Sequence, residues 1–163
     1  MSAKSTPAVN AMKQAGAAHR LLEYDYDPDA DAIGMAAAAA LGVDPAMLFK
    51  TLVSDVEGVG LVCAVIPSPA RLDLKALAAA AGGKRAQLAD PKVAERASGY
   101  VIGGISPLGM KKKLPTFIDA SAEALPEMIV NGGRRGLQIA AAPADIARVL
   151  GAKLVAITVA GRP

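Results

Sequence analysis

Short apolar runs rich in β-branched residues are interspersed along this chain with Ala-rich stretches, and the two patterns predict strands and helices in an irregular order. The runs Arg20–Tyr26, Lys50–Val56, Gly60–Ile66, Leu114–Asp119, Met128–Asn131, Leu137–Ala141 and Lys153–Val159 read as strands. Met35–Leu41 and Leu77–Gly83 read as helices. Further helix starts are marked where a capping oxygen stands directly before proline, at Thr6-Pro7, Asp44-Pro45 and Asp90-Pro91. The second of these predicts a helix over Pro45–Phe49, while Gly42, Gly82 and Gly151 supply helix stops. Glu57-Gly58, between the second and third apolar runs, predicts an antiparallel hairpin. Helices and strands mix without a steady βαβα alternation, so the expected architecture is an α+β domain (mixed α/β) whose mixed, barrel-like sheet is surrounded by helices.

A chain of 163 residues suits one well-cored domain. With 53% hydrophobic but only 3% aromatic residues, its core is built mainly from Ala, Val, Leu and Ile. No apolar run approaches the ~20 residues of a spanning helix, so a soluble protein without membrane contact is expected. The first residues lack the basic, apolar and small-residue succession of a secretory signal, and a cytoplasmic address follows as an expectation. A single cysteine, Cys63, excludes an internal disulfide and a multi-Cys zinc site and suits a reducing compartment. The net charge of +3 and pI near 9.1 do not separate a nucleic-acid binder from an ordinary enzyme.

The usual catalytic constellations are missing. His19 is the sole histidine, at a helix-to-strand junction, and Cys63 lies inside the apolar run Leu61–Ile66, where a thiol is normally a small buried hydrophobe. No glycine pattern matches a phosphate loop or a dinucleotide fingerprint, so no cofactor and no metal are expected. What remains is local. Lys50-Thr51 opens a strand directly after a predicted helix, where the lysine is either a solvated strand-start residue or a cation projecting into a cleft. Gly103–Gly109 and Asn131–Gly136 are glycine-dense loops able to present bare N–H groups to an anion or oxyanion, or else a plain loop and a hairpin turn. Basic residues gather around them, notably Lys111, Lys112, Lys113, Arg134 and Arg135. They offer phosphate contacts, or else simply a solvated face.

Taken in order, Leu48-Phe49-Lys50-Thr51-Leu52-Val53, Leu72-Asp73-Leu74-Lys75, Ala89-Asp90-Pro91, Ser98–Gly109, Lys111–Thr116 and Gly132–Leu137 resemble the YbaK branch of the bacterial trans-editing aminoacyl-tRNA deacylases. The resemblance covers residues 7–158, leaving residues 1–6 as a flexible N-terminus and 159–163 as a tail. It implies a pocket for the 3′-end of mischarged proline tRNA, with Lys50 as the family's catalytic lysine. Tyr24 on the first strand, Thr51, the segment Gly103-Gly104-Ile105-Ser106-Pro107 and Asn131-Gly132-Gly133 are the implied substrate-binding positions. Lys111–Lys113, Arg134 and Arg135 are the implied tRNA contacts. Two positions depart from the family pattern: Asn131 stands where serine usually precedes the Gly-Gly pair, and Gln138 where aspartate is common.

The activity implied is removal of cysteine from proline tRNA, and also from cysteine tRNA, in partnership with prolyl-tRNA synthetase and without DNA. In this chemistry the substrate's own thiol attacks its ester carbonyl, so a chain poor in nucleophiles is unsurprising. Two other readings stay open at this stage: a hydrolytic deacylase for alanine or another small amino acid, and a non-catalytic module that holds tRNA or the synthetase.

Overall fold

The computed structural model describes residues 5–27, 29 and 33–159. Most of the expected flexible ends, residues 1–4 and 160–163, lie outside the described residues. The cap and proline pairs start helical structure as expected. The Thr6 hydroxyl accepts from the Val9 N–H at 3.1 Å to open α1 (Pro7–Gln14). Helix α2 spans Ile33–Leu41. Asp73, a cap the sequence pattern did not mark, accepts from the Ala76 N–H at 3.0 Å and starts α3 at Leu74, ahead of the expected Leu77. Gly82 ends α3 with φ +81°, a left-handed cap that a side chain would strain. Asp90 opens α4 (Pro91–Ser98) through the Lys92 N–H at 2.9 Å, and α5 runs from Pro143 to Leu150.

Asp44 also caps, accepting from the Ala46 N–H at 2.9 Å, but the expected helix Pro45–Phe49 is only a 3₁₀ turn, Pro45–Met47. Sheet pairing overrides helix propagation there. The Leu48 carbonyl accepts from the Ser68 N–H at 2.7 Å, and Phe49 already sits opposite Pro67.

The strands are β1 (Arg20–Glu23), β2 (Phe49–Val56), β3 (Gly60–Pro67), β4 (Ala86–Leu88), β5 (Thr116–Asp119), β6 (Met128–Asn131), β7 (Leu137–Ala141) and β8 (Lys153–Val155). Each expected run is present, with the first, the fourth and the last cut short, so Tyr24 follows β1 instead of lying on it. Strand β4 was not expected. It carries no alternating pattern and exists through its pairing with β2, Ser54↔Leu88 to Val56↔Ala86.

The chain is a mixed α+β domain whose strands form two sheets. One is antiparallel in the order β1-β7-β6; the other is mixed in the order β4-β2-β3-β5-β8. Within the second, the Glu57-Gly58 hairpin pairs β2 with β3 from Phe49↔Pro67 to Val56↔Gly60, while β3–β5 and β5–β8 are parallel. A parallel bridge, Leu48↔Ile129, joins the sheets at one corner.

Strand β3 is buried on both faces. Ile66, Ala64 and Val62 pack under α3 with Leu77, Phe117 and Ile157. On the opposite side Val65 and Phe49 join Met128, Val130 and Ile139 beneath α1 and α5. This double burial explains why its sequence is a continuous apolar run, each fully buried Ile or Leu contributing about 1.5–3 kcal/mol. Helix α1 is also tied to the rest of the fold by its cap, since the Thr6 hydroxyl donates to the Gly132 carbonyl at 2.5 Å. No helix among the described residues is long and apolar enough to cross a membrane.

Candidate functional site

The corner where the sheets meet opens into a cleft of about 510 Å³. Leu48, Phe49, Lys50, Thr51 and Leu52, from the start of β2, form one side, with Ser68 beside them. Asn131 and Gln138, opposite each other on β6 and β7, form the second. Tyr24 after β1, Met35 and Ala37 of α2, and Ile102, Gly103 and Ile105 of the loop after α4 complete the lining.

Lys50 is the cation of this cleft. It is half-buried, and loss of hydration lowers its pKa below the ordinary lysine value. Among the described residues no Asp, Glu, His or Cys lines the cleft, and no carboxylate reaches salt-bridge distance of Lys50. An ammonium held partly out of water, with no described carboxylate at salt-bridge distance, attracts an anionic or developing anionic group more strongly than it would in bulk water. Tyr24 is likewise part-buried; burial raises its phenol pKa, and the Gln138 side chain opposes the rise. The buried Gln138 thus gives the cleft a polar partner for Tyr24. The Thr51 hydroxyl is buried and has no hydrogen-bond partner among the described residues.

Asn131 couples the two glycine loops. Its amide nitrogen donates to the Gly103 carbonyl at 3.1 Å and its oxygen accepts from the Gly133 N–H at 2.7 Å. The two bonds leave from the nitrogen and the oxygen of one amide, so a single side chain ties both loops. Gly133 has φ +100°, and a Cβ there would lie 2.9 Å from the Tyr100 ring and 3.1 Å from Thr6 Cβ. Backbone conformation and close approach both require glycine. At Gly104 a Cβ would lie 3.0 Å from the Arg134 Cα and from the Arg135 nitrogen, so the loops touch backbone to backbone.

Of the residues singled out from sequence, Lys50, Tyr24, Thr51, Gly103, Ile105 and Asn131 meet at the cleft. Gly104, Ser106, Pro107, Gly132 and Gly133 do not line it and shape the loops from behind. Ser106 is fully buried, its Oγ accepting from the Leu108 N–H at 3.2 Å. Lys111–Lys113 are exposed and lie outside the lining, with the Lys111 and Lys112 N–H groups closing the end of α4 on Ser98 and Ala97 at 2.9 and 3.0 Å. Arg134 pairs with Glu23 at 3.0 Å, and Arg135 bonds the Ile102 carbonyl. Sequence reasoning missed Ser68, Met35, Ile102 and the apolar neighbours Leu48, Phe49 and Leu52. The one available signal for Ser68 was its place just beyond the hairpin register, across from Leu48.

Neither conventional nucleophile is near. Cys63 is fully buried on β3 with its thiol 3.5 Å from the Met110 sulfur, and burial pushes its pKa up to about 12. His19 holds the Ala17 carbonyl at 2.8 Å, away from the lining. Asp119 is buried, but its carboxylate is occupied by the Ile157 and Ser121 N–H groups and the Ser121 hydroxyl. Cys63→Ala and His19→Ala are therefore expected to keep near-full activity in steady-state assays of folded protein. A loss of chemistry in well-folded Cys63→Ala would restore covalent catalysis.

Residues 27–149 match the aminoacyl-tRNA editing domain family. Over 119 residues, 73% of each chain, the sequence is 41% identical to an Enterococcus faecalis protein assigned as the Cys-tRNA(Pro)/Cys-tRNA(Cys) deacylase EbsC. Over 148 residues it is 30% identical to the multifunctional Ser/Thr-tRNA deacylase ProXp-y of Escherichia coli K12, covering 88% of this chain and 86% of that one. Among solved structures, one described as a trans-editing enzyme for prolyl-tRNA synthetase superposes with a TM-score of 0.82 at 26% identity, over 99% of both chains.

Proposed function

This chain belongs to the aminoacyl-tRNA editing domain family, of the YbaK/EbsC type, and on that premise we propose that it clears cysteine from mischarged proline tRNA by substrate-assisted cleavage. The observation that carries the proposal is a cleft holding a part-dehydrated lysine, with no Asp, Glu, His or Cys among the described residues that line it. Chemistry in such a cleft draws its attacking group from the substrate or from water.

In the proposed reaction the cysteinyl sulfur bonds to the ester carbonyl carbon, and the bond from that carbon to the ribose oxygen breaks. The thiol proton passes to solvent, the ribose oxygen regains one, and cysteine leaves as a thiolactone. The cleft contributes position, worth an effective molarity of up to ~10⁵–10⁸ M for a well-oriented intramolecular attack. Lys50 supplies positive charge where the carbonyl or ribose oxygen becomes anionic, with Tyr24, Thr51, Asn131 and the backbone around Gly103 holding the aminoacyl group.

Selection of the proline tRNA is assigned to prolyl-tRNA synthetase acting as partner. The exposed Lys111–Lys113 run offers only sequence-independent phosphate contacts. In single-turnover assays, Cys-tRNA(Pro) is expected to be deacylated and Pro-tRNA(Pro) spared, with Cys-tRNA(Cys) spared only when the synthetase is present. If the isolated protein itself rejects Cys-tRNA(Cys), recruitment by the synthetase is wrong. The likeness to the Ser/Thr-tRNA deacylase favours a second reading in which water attacks a hydroxyl amino acid ester. Turnover of Ser-tRNA with Cys-tRNA left intact would establish it in place of the first.

A further inference from the structure

The loop Val101–Gly104 has its backbone held from several sides. The Ile102 N–H donates to Glu95 Oε2 of α4 at 2.8 Å, and the Gly104 N–H to the Val101 carbonyl at 2.8 Å. The Ile102 carbonyl accepts two hydrogen bonds from Arg135, from Nε at 3.0 Å and Nη2 at 2.8 Å, while the Gly103 carbonyl takes the Asn131 amide. The Arg135 guanidinium also lies over the Tyr26 ring, 5.3 Å from its centroid. Gly103 lets the loop close onto this pair: its φ is +89°, and a Cβ would stand 2.6 Å from the Tyr26 hydroxyl and 3.1 Å from Arg135 Nε. The loop's own apolar side chains give little anchorage, since Val101 is 56% and Ile102 43% exposed. Hydrogen bonds therefore hold this wall of the cleft, and Arg135 makes two of them.

We propose that Arg135 is a positioning residue: braced on Tyr26, its planar fork fixes the Ile102–Gly103 peptide as a rigid wall against which the aminoacyl ester is presented. The proposal rests on the deacylase reading and takes Arg135 out of phosphate neutralisation, the role its place in a basic cluster had implied. Arg135 is exposed, yet two donors of its guanidinium are spent on one carbonyl and the Tyr26 ring lies against the group. The shape of the group matters as much as its charge. A lysine keeps the charge but cannot reproduce the paired N–H bonds with the stacked plane. A phosphate contact, by contrast, is largely satisfied by charge alone.

The test compares full-length Arg135→Lys and Arg135→Gln with the wild type in single-turnover kinetics on Cys-tRNA(Pro), salt-dependent tRNA binding, and amide hydrogen exchange. Both variants are expected to lose maximal rate to a similar degree, towards the order of 10²-fold that a misplacement of about 1 Å costs. Half-saturating tRNA concentration and the salt slope stay at their wild-type values, and exchange over residues 101–104 accelerates in both. Wild-type kinetics and exchange in Arg135→Lys, with Arg135→Gln flattening the salt slope by about 0.7–0.9, would make Arg135 a phosphate contact and overturn the proposal. Exchange unchanged in Arg135→Lys overturns it whatever the activity. An inert wild type with faster exchange in the variants instead sinks the deacylase reading and leaves Arg135 as the residue that fixes the Ile102–Gly103 peptide.

Discussion

Lys50→Ala is expected to lower the single-turnover rate on Cys-tRNA(Pro) by roughly 10²–10³-fold, a loss of about 2.7–4 kcal/mol of transition-state stabilisation. The size follows from the surroundings. Among the described residues no second cation lines the cleft, and the lysine is partly dehydrated, so it carries the positive charge that faces the departing oxygen. The same burial gives the substitution an opposite effect on stability. A folded-state pKa below the ordinary lysine value means that the fold disfavours the ammonium relative to the unfolded chain. The protonated lysine therefore costs stability at neutral pH, and the cost fades as pH rises through the lowered pKa towards the ordinary one. Lys50→Met should accordingly raise Tm at neutral pH in calorimetry while losing the rate to the same degree as Lys50→Ala. The wild-type rate should fall on the alkaline side at a pH below the ordinary lysine range. A folded Lys50→Ala protein that deacylates at the wild-type rate would remove the lysine from the mechanism.

Cys-tRNA(Pro) is expected to react far faster than Ser-tRNA(Pro), and Ala-tRNA(Pro) to be inert, when the three are compared in single-turnover assays. Sulfur and oxygen differ little in the space they need but greatly in ionisation. A free thiol has a pKa of ~8.5, so several per cent is thiolate near neutrality, whereas an alcohol has almost no anionic fraction. Alanine has no group with which to attack. Because no carboxylate or imidazole is among the described residues of the lining, the usual base for activating water is missing from them. The first product from the cysteine substrate, identified by mass spectrometry, should be the thiolactone. Comparable rates for cysteine and alanine, or free cysteine with no trapped thiolactone, would move the protein to the hydrolytic alternative.

Much of the fold is legible because its signals are local. Thr6, Asp44 and Asp90 cap wherever they stand before proline, since the bond closes within a few residues and needs no distant partner. The Glu57-Gly58 hairpin is legible for the same reason, its turn lying between two runs of equal length. Local signals failed where a distant strand intervened. The Asp44 cap should have started a full helix, yet pairing of Phe49 with Pro67 ended it after one turn. Strand β4 exists only because β2 offers it an edge.

By itself the sequence determined the caps before proline, seven of the eight strands, the buried Cys63, and the series of motifs that resembles the editing deacylases. Only the tertiary structure decided what gathers around that lysine. Tyr24, Ser68, Ile102, Asn131 and Gln138 come from separate elements and meet because the Leu48–Ile129 bridge joins two sheets at one corner. It also separated Gly103, which lines the cleft, from Gly104, Gly132 and Gly133, which are not among its lining residues, and divided Lys111–Lys113, whose side chains make no such bond, from Arg135, which is bonded to Ile102. Along the chain a run of basic residues looks uniform, because charge is a property of each residue. Whether a cation meets solvent, a carbonyl or a substrate depends on which distant backbone folds against it.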